Sequence, residues 1–181
     1  MFEKMNIFSK PSIKILHFLG RRYRERYHTR EIVRKLGIGL GSASEYLRML
    51  EKEGLVVKEE KGRLNIYRAN MENPLLRELK LVFTLLEIDR MIKDLREVSQ
   101  QIILFGSCAD GEDTRKSDID IFILAKDKKL ANKVIDRHQR KIPRKISPII
   151  VDSEEFRILR EEDKPLYSRI KKGRSLYEIP I

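Results

Sequence analysis

The sequence predicts an α+β chain in three parts: a small helical part ending in a hairpin over residues 1–70, a linking helix over 71–99, and a small mixed β-sheet with flanking helices over 100–181. Three observations predict this. Residues 9–70 read as three short helices followed by two alternating apolar-polar runs around Lys61-Gly62, residues 73–98 hold one long helical repeat, and two apolar runs after residue 100 flank a Gly-Ser turn. With 181 residues, 41% hydrophobic and 37% charged, the composition is that of a soluble globular protein. No apolar stretch approaches the roughly 20 residues of a membrane helix. The opening MFEKMNIF carries Glu3 and lacks a cleavage-type ending, so a cytoplasmic protein with no membrane partner is expected. The single cysteine, Cys108, excludes an internal disulfide, and His17, His28 and His138 lie too far apart for a local metal site. Any metal must be held by carboxylates.

The net charge of +11 is concentrated at the front, where residues 1–70 carry 16 Lys/Arg against 8 Asp/Glu. Such an excess suits a phosphate-bearing partner, although a solvated Lys/Glu-rich surface gives the same balance. Ser9 and Pro11 open a first helix with apolar Ile13, Leu16, Phe18 and Leu19, stopped at Gly20. After the basic loop RRYRERYH, Thr29 is expected to cap a short helix bearing Ile32, Val33 and Leu36. In SASEYLRMLEKEG, Ser42 and Glu45 stand at capping-box spacing, and Ala43, Leu47 and Leu50 form the buried face. Ser44, Glu45, Arg48 and Lys52 are left outside.

LVVKEEKGRLNIYRAN then reads as a hairpin. Three short helices and a hairpin resemble the winged form of the helix-turn-helix over residues 9–70, with SEYLRMLEKEGLV similar to its recognition helix running into the wing. The resemblance implies double-stranded DNA as partner. The third helix would enter a major groove through Ser42, Ser44 and Arg48, with Lys58, Lys61, Arg63 and Arg68 of the wing on the phosphates. Arg30 and the basic loop add to that footprint, whereas Glu59 and Glu60 oppose it. A winged helix that makes only protein contacts is the alternative.

In NPLLRELKLVFTLLEIDRMIKDLREV, Asn73 is a cap and Pro74 occupies the first helical position. From Leu81 to Ile88 the helix is apolar on nearly every side. It is either sandwiched between the two folded parts or forms a homodimer contact.

QIILF is a buried-strand pattern, and Gly106-Ser107 marks a strand turning into a helix, with backbone N–H groups that suit a triphosphate. In SDIDIFIL, alternation sends Asp118 and Asp120 to one face and Ile119 and Ile121 to the other. Two carboxylates about 7 Å apart along a strand repel each other unless a cation lies between them, and magnesium is the natural candidate. Gly-Ser, ten residues, then Asp-apolar-Asp resembles the signature of the DNA polymerase beta-type nucleotidyltransferases, and FGSCADGEDTRKSDIDI is similar to their minimal branch. The resemblance covers residues 101–177. It implies transfer of a nucleoside monophosphate from an NTP, with Gly106 and Ser107 on the β/γ-phosphates and Asp118 and Asp120 as catalytic carboxylates holding Mg or Mn. Arg115 and Lys116 would offset the triphosphate charge.

The pattern departs from that family at its third carboxylate. In RKISPIIVDSEEF the expected place is Ser147, which has neither the charge nor the basicity of a carboxylate. Asp152, five positions on, turns to the opposite face; it or Ser153 is expected to cap the helix that follows, and Pro148 marks an edge strand. The basic stretch KDKKLANKVIDRHQRKIPRK is a helix with an apolar stripe at Leu130, Val134 and Ile135. Two functions therefore stand side by side. One is a transcription regulator whose nucleotidyltransferase-like domain binds metal-NTP but is weak or inactive; the other is an active transferase acting on a protein, nucleic-acid or small-molecule acceptor.

Overall fold

The computed structural model describes residues 7–179, so Glu3 and the rest of residues 1–6 lie outside the described residues. The chain divides into two compact units, Met1–Lys80 and Leu81–Ile181.

In the first unit, helices α1 (Lys10–Gly20), α2 (Thr29–Leu36) and α3 (Leu40–Lys52) accompany an antiparallel sheet of β1 (Tyr27–His28), β2 (Val56–Lys61) and β3 (Leu64–Ala69), in the order β1-β3-β2. Ser9 caps α1, its hydroxyl accepting from the Ser12 N–H, but the helix includes Gly20 and ends at Arg21. The α2 cap differs from expectation. His28, not Thr29, is the N-cap: its Nδ1 accepts from the Glu31 N–H while the Glu31 carboxylate accepts from the His28 N–H. Pairing of Tyr27 with Tyr67 and of His28 with Ile66 keeps both residues extended, which moves the helix start to Thr29. The expected Ser42–Glu45 capping box is absent. α3 begins at Leu40 with Gly39 as N-cap, so Ser42 lies inside the first turn. Fully buried Leu47 and Leu50 of α3 meet a core of Ile15 and Leu16 of α1, Ile32 of α2 and Leu55. Each such side chain contributes about 1.5–3 kcal/mol by leaving water.

α4 (Pro74–Arg96) is one helix of 23 residues that begins in the first unit and runs into the second. Asn73 caps it, its side-chain oxygen accepting from the Leu75 N–H at 2.9 Å.

The second unit is built on a four-stranded mixed sheet, order β6-β5-β4-β7, of β4 (Gln101–Phe105), β5 (Ile119–Leu124), β6 (Ile146–Val151) and β7 (Arg174–Glu178). β4 pairs antiparallel with β5 and β7, and β6 runs parallel to β5 at the edge, as Pro148 requires. One face, with Ile102, Leu104, Ile119, Ile121 and Ile123, packs against Ile88, Met91 and Leu95 of α4 and Ala131, Val134 and Ile135 of α5 (Lys128–Gln139). Leu130, expected in that stripe, is exposed instead. The other face, with Ile103, Phe105, Phe122 and Val151, meets Phe156 and Leu159 of α6 (Ser153–Glu162) and Leu166 and Ile170 of α7 (Lys164–Lys171).

Candidate functional site

The site forms where β4 ends. Phe105 is extended, and Gly106 follows at φ +68°, opening a single 3-10 turn over Gly106–Cys108. Gly106 is required by its φ, which disfavours any side chain; a Cβ there would also lie 2.5 Å from an Asp120 carboxylate oxygen, which would have to turn away. The turn closes with Ala109 N–H on the Gly106 carbonyl at 2.9 Å, leaving the amides ahead of it outside its own hydrogen bonds. Ser107, half-buried, fixes the following loop by accepting at its carbonyl from the Glu112 and Asp113 N–H groups.

Antiparallel pairing sets Asp120 opposite Phe105, bringing its carboxylate under Gly106. Burial raises its carboxyl above the ordinary value; Arg169 opposes this, Asp118 raises it further and Lys145 opposes again. Asp118 lies one residue before β5. It accepts from Lys145 Nζ at 3.0 Å through its carboxylate, and from the Cys108 thiol at 3.3 Å through its backbone carbonyl. Carboxylates are the oxygen ligands a divalent cation takes together with phosphate oxygens. No cluster of three His, Cys, Asp or Glu able to hold a metal occurs among the described residues.

On the neighbouring strand, Ser147 stands in register with Asp120. Asp152 is the N-cap of α6, accepting from the N–H groups of Glu154 and Glu155 at 3.0 and 2.9 Å.

Sequence reasoning missed the cations on the far side. A cleft of about 130 Å³ is lined by Gly106, Asp110, Arg169, Lys172 and Gly173. The Arg169 guanidinium also lies 5.8 Å from the centre of the Phe105 ring. Gly173 permits the close approach, since a Cβ would lie 2.5 Å from the Leu104 carbonyl oxygen. The signal was present in YSRIKKGR, but a basic helix end reads as solvated until β7 pairs with β4. Arg115 and Lys116 are exposed in the turn closed by Thr114 and Ser117 and do not line this cleft.

A buried cation supports the loop beneath. Arg144, 8% exposed, donates to Glu87 and Thr84 of α4, to Asp113 at 2.7 Å and to the Cys108 sulfur at 3.3 Å. His138 is likewise structural, 2.8 Å from the Asp94 carboxylate.

In the first unit, Arg30 on α2 and Ser42 and Arg48 on α3 are exposed, while Ser44 is half-buried. Arg48 and Lys58 both act electrostatically on Tyr67 of β3, whose hydroxyl burial raises above its ordinary value. The hairpin cations divide into two groups. Lys58 pairs with Glu60 at 2.7 Å, and Glu59 takes both Arg26 at 2.8 Å and Arg68 at 3.5 Å. Lys61 and Arg63, flanking Gly62 at the tip, are exposed and hold no ion pair among the described residues. The basic loop is also partly engaged: Arg22 covers the Phe18 ring at 4.5 Å and Arg24 lies 5.5 Å from that of Tyr23.

Residues 86–180 match the family model of the polymerase beta nucleotidyltransferases, more than half of the chain, and the chain belongs to that family. No curated protein matches it. Among solved structures, the chain is similar to the AntR antimony-specific transcriptional repressor, at 20% identity and TM-score 0.41 over 46% of this chain and 73% of that one. It is also similar to a chain of a toxin-antitoxin structure with AMP-PNP, at 26% identity and TM-score 0.36 over 51% of this chain and 72% of that one. Among the described residues no helix is long and apolar enough to cross a membrane.

Proposed function

We propose that this chain is a DNA-binding transcription regulator that works as a homodimer. A winged helix-turn-helix over residues 1–70 is joined by the helix of 71–99 to a nucleotidyltransferase domain over 100–181. That domain binds a magnesium- or manganese-bound nucleoside triphosphate and transfers its nucleotide slowly or not at all. The observation that carries the reading is the register of Asp120 with Ser147, a hydroxyl on the neighbouring strand where the family's pattern leads us to expect a third carboxylate. Retained binding is supported by Gly106 above Asp120, by Asp118 alongside, and by Arg169 and Lys172 across the cleft, a cation set suited to phosphates. DNA binding is supported by Arg48 and Arg30 exposed on α3 and α2 and by the exposed hairpin-tip cations Lys61 and Arg63, which hold no ion pair among the described residues.

A second reading is favoured by the intact Gly106-Ser107 turn and the Asp118–Asp120 pair: a working transferase acting on a protein, nucleic-acid or small-molecule acceptor. Labelled NTP with magnesium or manganese separates the two. Covalent label on an acceptor, lost in Asp118→Asn, supports the transferase; nucleotide binding without transfer supports the regulator. Duplex binding that weakens steeply with salt and is lost in Arg48→Ala supports the DNA-binding part.

A further inference from the structure

We infer that two copies of this chain pair antiparallel through one face of α4, about a twofold axis level with Thr84. This deepens the dimeric part of the reading above and is independent of both the nucleotide site and DNA. The face is a row at four-residue steps, Glu78, Val82, Leu86 and Arg90, all of them exposed. Residues four apart on a helix stack into one stripe. Leu86, at 71%, is the most exposed large apolar side chain among the described residues, and Val82 is 44% exposed. α4 already commits Ile88, Met91 and Leu95 to the sheet core, so its own fold does not require apolar residues on this second face.

The row reads acid, apolar, apolar, base. Turned end over end about its midpoint, it complements itself at every position: Val82 meets Leu86, Glu78 meets Arg90, and symmetry repeats both contacts. The flanks agree. Leu75, 42% exposed, comes opposite Lys93, whose methylene stem covers it while the ammonium stays in water. Asp89 comes level with Leu79, which is buried within its own chain, so no acidic side chain of α4 stands opposite it. A parallel pairing would instead set Glu78 on Glu78 and Arg90 on Arg90, which like-charge repulsion disfavours. From Glu78 to Arg90 the row spans about 18 Å at 1.5 Å per residue. A contact of that length buries less than the roughly 800 Å² per partner of a standard stable interface. A contact of this size belongs with weak, reversible associations rather than permanent ones.

Sedimentation equilibrium of the full chain, without nucleotide or DNA, tests this. The wild type should show a reversible monomer-dimer equilibrium, and Leu86→Glu or Arg90→Glu should raise its dissociation constant at least about tenfold, the second by setting Glu against Glu. The double exchange Glu78→Arg, Arg90→Glu should restore it to within about threefold of the wild type, because the pairing is rebuilt with its signs reversed. Both single changes fall on exposed positions, and unfolding curves verify that the variants are folded. A wild type that stays monomeric at a few hundred micromolar, a dimer indifferent to Leu86→Glu, or a double exchange without rescue would overturn the proposal. Loss of DNA binding or nucleotide binding by itself leaves these readings unchanged, so the two accounts fail separately.

Discussion

Asp120 and Ser147 face each other across the parallel β5–β6 pair, a carboxylate in register with a hydroxyl at the edge of the sheet. Ser147→Asp would add a second charge beside Asp120 and a third carboxylate to the site. Metal-dependent transfer of labelled nucleotide is expected to rise by at least about tenfold, the lower end of what a positioned base contributes being higher still. Unchanged transfer would mean that the serine is not what silences the site.

Asp120 also makes the protein sensitive to pH. Burial holds its carboxyl above the ordinary value, so the folded chain keeps this proton longer than the unfolded chain does. Stability on this account falls as pH rises from the ordinary carboxylate range through the raised value, and stays lowered above it. Asp120→Asn should therefore raise Tm at neutral pH and give no gain near pH 3, below the unfolded carboxyl's pKa of about 3.9. Thermal melts of the two proteins at both pH values check this, and magnesium at neutral pH should narrow the gap.

Gly106 tolerates no side chain. Gly106→Ala would place a methyl 2.5 Å from the Asp120 carboxylate at φ +68°. The strain is expected to cost about 1–3 kcal/mol in urea unfolding, with loss of nucleotide binding.

Arg144 neutralises two carboxylates at once, Glu87 and the fully buried Asp113. Arg144→Leu removes the cation these two carboxylates share, and a loss of about 3–5 kcal/mol is expected from chemical denaturation.

On the hairpin, the existing ion pairs rank the cations. Arg63 at the tip holds no pair among the described residues, whereas Arg68 shares Glu59 with Arg26. Arg63→Ala should reduce the salt slope of duplex binding by about 1, with Arg68→Ala reducing it less. Titration at several salt concentrations checks the order.

What was legible in the sequence is what depends on neighbours along the chain. The Gly-Ser turn and the two aspartates are local patterns, and the apolar frame of ISPIIV was enough to place Ser147 beside them. The α6 cap was narrowed to Asp152 or Ser153, and the structure assigns it to Asp152. What escaped depends on strand pairing. His28 became the α2 cap because pairing with Ile66 holds it extended, although Thr29 has the stronger cap chemistry. Arg26 and Glu59, 33 residues apart, meet only once the sheet forms, so the partner that covers this wing carboxylate could not be read from the chain. Arg169 and Lys172 reach Gly106 because β7 returns antiparallel to β4, and no periodicity within YSRIKKGR announces that.

The most direct test of the account is calorimetric titration of nucleoside triphosphate, with and without magnesium or manganese, into the wild type and an Asp118→Asn, Asp120→Asn double variant. Binding that requires the metal and disappears in the variant is the predicted result. Absence of binding to the wild type, or binding that survives in the variant, would contradict the claim that these two aspartates hold a metal-nucleotide complex beneath Gly106.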